Sequence, residues 1–445
     1  MDSRPRRSSR TTRPAGRQTA VQPASAAHRA RRERQALGRL RKWAPPAVRD
    51  VLATLAAAGG TPVIVGGAVR DAFLGRATHD FDLATRLPPA AVAGLFPRVV
   101  RAGEKHGTIM VLTPAGPVEV TTFRSEGAYL DGRRPSSVVF HGDLEADLAR
   151  RDFTINAVAA DLGARRVVDP FGGVADLGRR LVRCVGDPAA RFGEDGLRPL
   201  RAVRFAAVLA FRLDAATRAA IPGALATFER VSWERKRDEM TRLLGEGQGL
   251  GRSLSLLERS GLLGAIAPEL CGVPAGRLTA LDRLPRGRPW HRFAAWAVLA
   301  RVEPTVAGDI LRRWRVATDT IRCVEVWVQA VSRLPRDPPR GADMRRWLAS
   351  AGGSFGAGAS QVAAAVRGGR YRGFDTRVRA VLAREPVLRV DQLAVRGADL
   401  LALGLAGPRL GATLRALLDH VLETPSRNRK DQLLALAHRM STGEG

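Results

Sequence analysis

The stretch Val63-Ile-Val-Gly-Gly-Ala-Val-Arg-Asp71, followed closely by His79-Asp-Phe-Asp-Leu-Ala-Thr85, reads as a strand, a glycine turn, a helix start and a second strand carrying two carboxylates. Side chains alternate along a strand, so Asp80 and Asp82 share one face while Phe81 and Leu83 point to a core. Two carboxylates on one face suit a cation. Gly66-Gly67 lets backbone N–H groups approach a phosphate at a helix N-terminus, and Arg70 adds a planar cationic fork at the same spot. Together they describe one small pocket for a nucleoside triphosphate and its metal ions. Either half alone is commonplace, since Gly-Gly after an apolar run is an ordinary turn and Asp-x-Asp occurs on solvated strand edges. Their conjunction in one short stretch is far rarer.

That conjunction resembles the nucleotidyltransferases of the DNA polymerase beta type, and the bulk composition suits such chemistry. The 445 residues allow about two to four domains. Lys and Arg number 72 against 43 Asp and Glu, a formal charge of +29, and so basic a surface attracts polyanions such as nucleic acid. Only Lys42, Lys105, Lys236 and Lys430 are lysines, a bias that GC-rich coding alone can produce, so the charge supports RNA binding without proving it. No run of about eighteen apolar residues occurs, so no membrane span is expected and the protein reads as soluble and cytoplasmic. Cys184, Cys271 and Cys323 lie far apart with no Cys-x-x-Cys pair, which argues against a structural zinc or a disulfide framework.

Residues 1–45 carry 13 basic and 2 acidic side chains with no sustained apolar period, which predicts a disordered basic arm. An arginine-rich start also resembles an organelle transit peptide, and composition does not separate the two. An Ala/Leu/Val period over 46–60 predicts a helix, and apolar runs at 61–65, 81–85, 107–113 and 117–123 predict strands. Pro114-Ala-Gly116 predicts a hairpin joining the last two, with Val118 and Val120 on one face and Glu119 on the other. Glu119 is then either a third carboxylate beside Asp80 and Asp82 or a plain solvent-facing residue. Beyond Asp187-Pro188 the strand-like runs nearly vanish, and Leu/Ala/Arg patterns at helical spacing continue to the end.

Three further segments carry chemistry. Arg150-Arg-Asp-Phe-Thr-Ile-Asn156 offers a phosphate fork and, in Asp152, an acceptor for a ribose hydroxyl, with a structural ion pair as the competing account. Asp169-Pro-Phe-Gly-Gly173 reads as a glycine-rich turn. In Glu194-Asp-Gly-Leu-Arg-Pro-Leu-Arg-Ala-Val-Arg-Phe205, helical spacing puts Asp195, Arg198 and Arg201 within about a 120° arc with Arg204 at its edge. Alone, that stripe reads as a solvated or RNA-facing surface; beside the upstream motifs it has a specific use.

Taken in order, the motifs resemble class II tRNA nucleotidyltransferases, the CCA-adding enzymes, and their bacterial poly(A) polymerase relatives. The resemblance rests on Gly66-Gly67-x-Val69-Arg70-Asp71, Asp80 and Asp82, Glu104-Lys-His-Gly-Thr108, Glu119-Val-Thr-Thr-Phe-Arg124, Arg150-Arg-Asp-Phe-Thr-Ile-Asn-Ala157, Glu194-Asp-x-x-Arg198 and Ser232-Trp-Glu-Arg-x-x-x-Glu239. It covers residues 60–245 strongly, extends more weakly to Gly397-Ala-Asp-Leu-Leu-Ala-Leu-Gly404, and finds no usable motif in 265–390. It implies an α+β protein: a polymerase-beta-like head with a mixed sheet over 46–185, a helical neck for nucleobase recognition over 186–255, and a helical, tRNA-binding body and tail over 256–445. It implies that Asp80 and Asp82 bind Mg2+, with Glu119 a further catalytic candidate. Gly66, Gly67, Arg70 and Arg151 would then hold the triphosphate, Asp152 would sit near the ribose, and Asp195 and Arg198 would read the base with help from Arg201 and Arg204.

A carboxylate and a guanidinium can choose among bases. Cytosine and adenine both present an exocyclic amine beside a ring-nitrogen acceptor, which such a pair complements, whereas uracil and guanine oppose acceptor to acceptor and donor to donor. Each buried polar group left unpaired costs about 1–3 kcal/mol, so rejection is sizeable. The reaction implied is attack of a tRNA 3′-hydroxyl on the α-phosphate of CTP or ATP. Addition of only CC or only A, poly(A) synthesis, and a catalytically silent RNA-binding protein are the alternatives. Tyr129-Leu-Asp-Gly-Arg-Arg-Pro135 resembles the loop that A-incorporating members retain, which favours CCA or A addition. His79-Asp80 is the only His-Asp doublet and belongs to the metal pair, so no phosphohydrolase domain is expected. The oligomeric state is not readable.

Overall fold

The computed structural model describes residues 26–126, 138–140, 142–384 and 386–442. Two helices, α1 (Ala26–Trp43) and α2 (Pro46–Ala57), precede β1 (Val63–Val65). Three β-branched residues in a row suit a strand covered on both faces, and all of β1 is buried. After it come α3 (Gly67–Leu74), β2 (Asp82–Thr85), α4 (Pro89–Leu95), β3 (Val99–Val100), β4 (Thr108–Thr113) and β5 (Gly116–Thr122). The two-stranded ribbon β6 (Arg124–Glu126) and β7 (Val138–Phe140) leads to α5 (Leu144–Ala149), then β8 (Ala159–Asp161), β9 (Arg166–Val168) and α6 (Gly173–Arg179).

Seven of these strands make one mixed sheet in the order β3-β4-β5-β2-β1-β8-β9, in which β2 and β5 run parallel and the other neighbours antiparallel. The expected β4–β5 hairpin forms, turning at Gly116 with φ +120°. Its alternation is as the pattern requires: Ile109, Val111, Val118 and Val120 are buried, while Met110 and Glu119 are exposed on the opposite face. One step before the Leu83–Val120 pairing, Asp82 lies beside Glu119.

The basic arm expected over 1–45 needs correction. Residues 26–43 form a helix whose Ala36, Leu37 and Leu40 are buried and whose Arg39 donates from Nη1 to the Ala72 carbonyl of α3 at 2.8 Å. Arg32 also lies over the Phe73 ring at 5.8 Å. The apolar stripe is narrow and set among arginines, so composition hid it; those same arginines dock the helix.

A short parallel pair, β10 (Leu181–Val182) with β11 (Arg212–Leu213), ties the head to the helical half of the chain. Between its strands stand α7 (Pro188–Glu194) and α8 (Arg198–Leu209), and after it α9 (Ala215–Ala219) and α10 (Leu225–Glu229) lead into α11 (Trp233–Glu246). Among the described residues after Asp187, β11 is the only strand, which matches the all-helical expectation. Arg292, 2% exposed, donates to the carbonyls of Leu244, Gly247 and Leu284. It thereby ties the C-terminal end of α11 to the helix Pro289–Ala300. No helix among the described residues is long and apolar enough to cross a membrane.

Candidate active site

A cleft of about 450 Å³ opens between the sheet and α8. Gly66, Gly67, Arg70 and Asp82 line its head end together with Arg150, Arg151, Asp152 and Asn156, and Asp195, Arg198, Arg201, Arg204, Phe205 and Arg242 line the other. Two candidates, Asp80 and Glu119, stand outside this lining but act on it by charge.

At the head end, Gly66 caps α3 with φ +70°, a conformation that disfavours any side chain. A β-carbon there would stand 3.1 Å from the Arg151 guanidinium and 3.8 Å from the Asp82 carboxylate, so the turn is hemmed in by one cation and one anion. The N–H groups of the first turn of α3 face this cradle. Arg70 forks onto Asp71 at 3.0 Å and donates to Asn156 Oδ1 at 2.9 Å, which fixes its plane. Arg151 donates to Asp147 at 3.1 Å and keeps a buried Nε without a partner. A cationic group held this way is suited to an incoming anion.

The acids are crowded. Burial pushes the Asp82 carboxyl above its ordinary range and Asp80's charge adds to the push, against the pull of Arg151. Glu119 is raised likewise, by burial first and then by Asp82 and Asp80, with Arg124 opposing. Glu119 is exposed and lies next to Asp82 across the β2–β5 pairing. Asp80 itself lies just before β2, exposed, its backbone bonded to the Thr78 hydroxyl. Among the described residues no three acids, histidines or cysteines converge closely enough to cage a cation by themselves. Carboxylates that repel one another beside a glycine-capped helix start nevertheless fit Mg2+, which takes one or two carboxylates and would complete its shell with phosphates and water.

The neck end is the opposite: every acid has its cation. Asp152, expected to face a ribose hydroxyl, is buried and accepts from Phe153 N, Asn156 Nδ2 and both Nε and Nη2 of Arg201, at 2.7–3.0 Å. Burial alone would raise its pKa, but the charge of Arg201 with these hydrogen bonds outweighs it and brings it to about 2. Arg201 also reaches Glu239 of α11 at 3.3 Å, and Glu239 pairs with Arg204 in addition. Burial works against Arg201's charge, yet Asp152 and Glu239 hold its pKa above the ordinary value. The Phe205 ring lies under three guanidiniums, those of Arg204 at 3.8 Å, Arg70 at 5.3 Å and Arg201 at 5.5 Å.

One expectation about this end fails. Asp195 is not on the helix with Arg198: α7 stops at Glu194, and Asp195 is extended (φ −137°, ψ 107°) before α8 begins at Arg198. Its carboxylate accepts from Leu197 N at 3.0 Å and from Arg235 of α11 at 2.8 Å. Arg198 donates to Glu194 and to the carbonyls of Arg191 and Arg150, three bonds that leave part of its five-donor fork for a ligand. The break, not a helical arc, brings Asp195 and Arg198 to the same cleft. Sequence reasoning gave no role to Asn156, Phe205, Arg235, Glu239 or Arg242. Asn156 and Glu239 close quoted motifs, whereas Arg242 carried no signal. The loop Tyr129–Pro135 lies outside the described residues.

A mixed sheet with paired acids beside a glycine-capped helix is the architecture of a nucleotidyltransferase head. Residues 63–183 match the family model of the poly A polymerase head domain, and 210–272 match that of the probable RNA and SrmB-binding site of polymerase A. The CCA-adding enzyme of Levilactobacillus brevis is 36% identical over 396 residues, covering 87% of this chain and 96% of its own. That of Geobacillus stearothermophilus is 37% identical over 387 residues, covering 85% and 93%. The crystal structure of the Bacillus stearothermophilus CCA-adding enzyme in complex with CTP has a TM-score of 0.75 at 32% identity, over 93% of this chain and 98% of that one. The chain is therefore a nucleotidyltransferase, and it belongs to the CCA-adding enzyme family.

Proposed function

We propose that the protein adds C and A residues to the 3′ end of tRNA from CTP and ATP, with no nucleic-acid template. The observation that carries this is the single cleft: one nucleotide seated in it meets the Gly66–Gly67 cradle and Asp82 with its phosphates and the Asp195–Arg198 pair with its base. A volume of about 450 Å³ suits one nucleotide. Gly67, Arg70 and Arg151 hold the triphosphate. Asp195 and Arg198 present an acceptor and a donor to the base edge, with Arg201 and Arg204 fixing the wall behind them. Asp152 serves as the anchor of Arg201 rather than as a free acceptor.

Asp80 and Asp82, with Glu119 beside them, would hold Mg2+, which when bound polarises the α-phosphate and neutralises charge on the leaving pyrophosphate. The residues of the chain orient the α-phosphate toward an RNA 3′-hydroxyl and exclude the wrong base. Addition is favoured over a silent binder because a protein that only binds RNA has no use for crowded acids beside a phosphate cradle. The relatives, named CCA-adding enzymes over nearly their whole length, favour complete addition over poly(A) synthesis or partial addition. Residues 186–255 act as the neck that reads the base, and 256–445 as the body and tail that seat the tRNA. Incubation with tRNA lacking its 3′ CCA and each labelled triphosphate, followed by product sequencing, tests this. Ordered C, C and A addition is expected; homopolymer A, or no product, contradicts it.

A further inference from the structure

A second cavity, of about 550 Å³, lies across α8 from the cleft. Helical spacing sets Ala206 opposite Arg201 and Arg204, and Ala206 lines this cavity while the two arginines line the cleft. Leu181 of β10, Leu213 of β11 and Leu256 of α12 (Leu250–Arg259) add to an apolar floor. Four arginines surround it: Arg212 of β11, Arg218 of α9, and Arg252 and Arg259, which stand two turns apart on one face of α12. All four are exposed, and none makes a side-chain hydrogen bond or ion pair among the described residues. The one acid in the lining, Asp214, is already engaged, accepting from Thr217 N at 3.1 Å as the cap of α9. Ser253, 9% exposed, lines the same cavity with a hydroxyl that has no partner among the described residues. The start of α12 is capped by the Asp282 carboxylate, which accepts from Leu250 N at 3.1 Å, so the arginines and not the helix end supply the positive charge.

We propose that this cavity is a second nucleotide site, one that takes a nucleoside carrying two or three phosphates. Other exposed arginines of the helical half, such as Arg312 and Arg346, are neutralised by neighbouring acids. Here four unpaired guanidiniums face one hollow, and a multiply charged anion relieves their mutual repulsion. Guanidinium forks grip phosphate oxygens two at a time, and four forks match a chain of phosphates better than a single one. The sugar and base then lie against Leu213 and Leu256, and the Ser253 hydroxyl gains the partner that its burial calls for. The volume is that of a small-molecule pocket. Residues 210–272 match a model described as a probable RNA-binding site, but a strand follows an open track, whereas this lining gathers β10, β11, α8, α9 and α12 around one hollow. The site stands apart from the catalytic cleft and is independent of it. Its wall includes the end of α8, where Gln248 donates to the Ala207 and Val208 carbonyls at 3.0 and 3.3 Å. A nucleotide bound there would brace the helix that presents Arg201 and Arg204 to the cleft.

Calorimetric titration with ATP and Mg2+, with no RNA present, counts the nucleotides bound. The wild type is expected to take up two per chain. Arg218→Glu/Arg252→Glu should weaken the second at least about tenfold and leave the first within about twofold, while Arg218→Lys/Arg252→Lys stays within about threefold for both. AMP, with a single phosphate, should bind the second site at least about tenfold more weakly than ATP. Photolabelling of the wild type with 8-azido-ATP locates the second molecule whatever the variants do to folding, and label on peptides covering residues 248–259 supports the site. One ATP per chain, a second ATP whose affinity the charge reversal leaves unchanged, or label confined to the catalytic cleft overturns it and leaves the reading of the cleft intact. A wild type that holds one ATP, with a charge reversal that weakens binding of truncated tRNA, assigns the four arginines to RNA and overturns it as well.

Discussion

The two ends of the cleft are built on opposite electrostatic plans. At the head end the acids Asp80, Asp82 and Glu119 act on one another by charge, and burial first, then that mutual repulsion, pushes Asp82 and Glu119 above the ordinary carboxylate range. At the neck end acids and arginines are interleaved, Asp152 with Arg201, Glu239 with Arg201 and Arg204, Asp195 with Arg235, and Asp152 titrates low. The head end carries an acidic excess that a cation brought with the substrate would relieve. The neck end is complete by itself, so its shape exists before any nucleotide arrives. A surface that selects a base must be rigid, and internal pairing supplies that rigidity.

The largest way to break the comparison is at the head end. Asp82→Ala is expected to lower kcat for nucleotide addition about a thousandfold or more while tRNA affinity, measured by filter binding, changes little. Near-normal turnover would remove the acids from the chemistry. At the complete end Glu239→Ala strands the buried Arg204, while the half-buried Arg201 keeps Asp152, so a loss of about 3 kcal/mol in urea unfolding is expected, because breaking a buried pair leaves an uncompensated charge. The surviving folded fraction should misincorporate UTP. Arg235→Ala is milder: it frees the Asp195 carboxylate from its one ion-pair partner among the described residues. A roughly tenfold fall in C and A selectivity with almost unchanged stability is expected in single-nucleotide addition assays.

The smallest effect, and the one that separates the two plans most cleanly, is on pH dependence. Without divalent cation, carboxyl NMR titration should find Asp82 and Glu119 above the ordinary carboxylate range, and Asp80→Asn should move both down. An acid whose folded pKa is raised holds its proton more tightly in the folded state, so it weakens stability at neutral pH. Asp82→Asn should accordingly stabilise the metal-free protein at neutral pH in urea unfolding. Asp152 has the reverse sign. Its stabilising contribution is present above the ordinary 3.8 and is lost as pH falls toward about 2.

The same division decided what was legible in the sequence. The head end is local: Gly66, Gly67, Arg70, Asp80 and Asp82 sit in one strand-turn-helix-strand unit, and alternation placed Phe81 and Leu83 in the core and Glu119 on the open face. The neck end is assembled from distant segments, since Asp152 and Arg201 are joined across the cleft and Glu239 arrives from α11. No spacing rule finds such pairs. Where a local signal did exist it was Pro199, whose place in the first turn of α8 marks a helix starting at Arg198 and so excludes Asp195 from it. Gly196 lies in the break, packed so closely that a side chain there would run into the Thr227 carbonyl. Helix α1 was hidden for another reason: three buried positions among many arginines do not register in composition.

The account stands most directly on nucleotide binding itself. Calorimetric titration of wild type and Asp195→Ala with CTP, ATP, UTP and GTP in the presence of Mg2+ measures both ends of the cleft at once. The wild type should bind CTP and ATP at least about tenfold more tightly than UTP and GTP, and Asp195→Ala should lose that ratio while keeping triphosphate affinity. A selectivity ratio unchanged by the substitution would contradict a base-reading wall built from protein side chains.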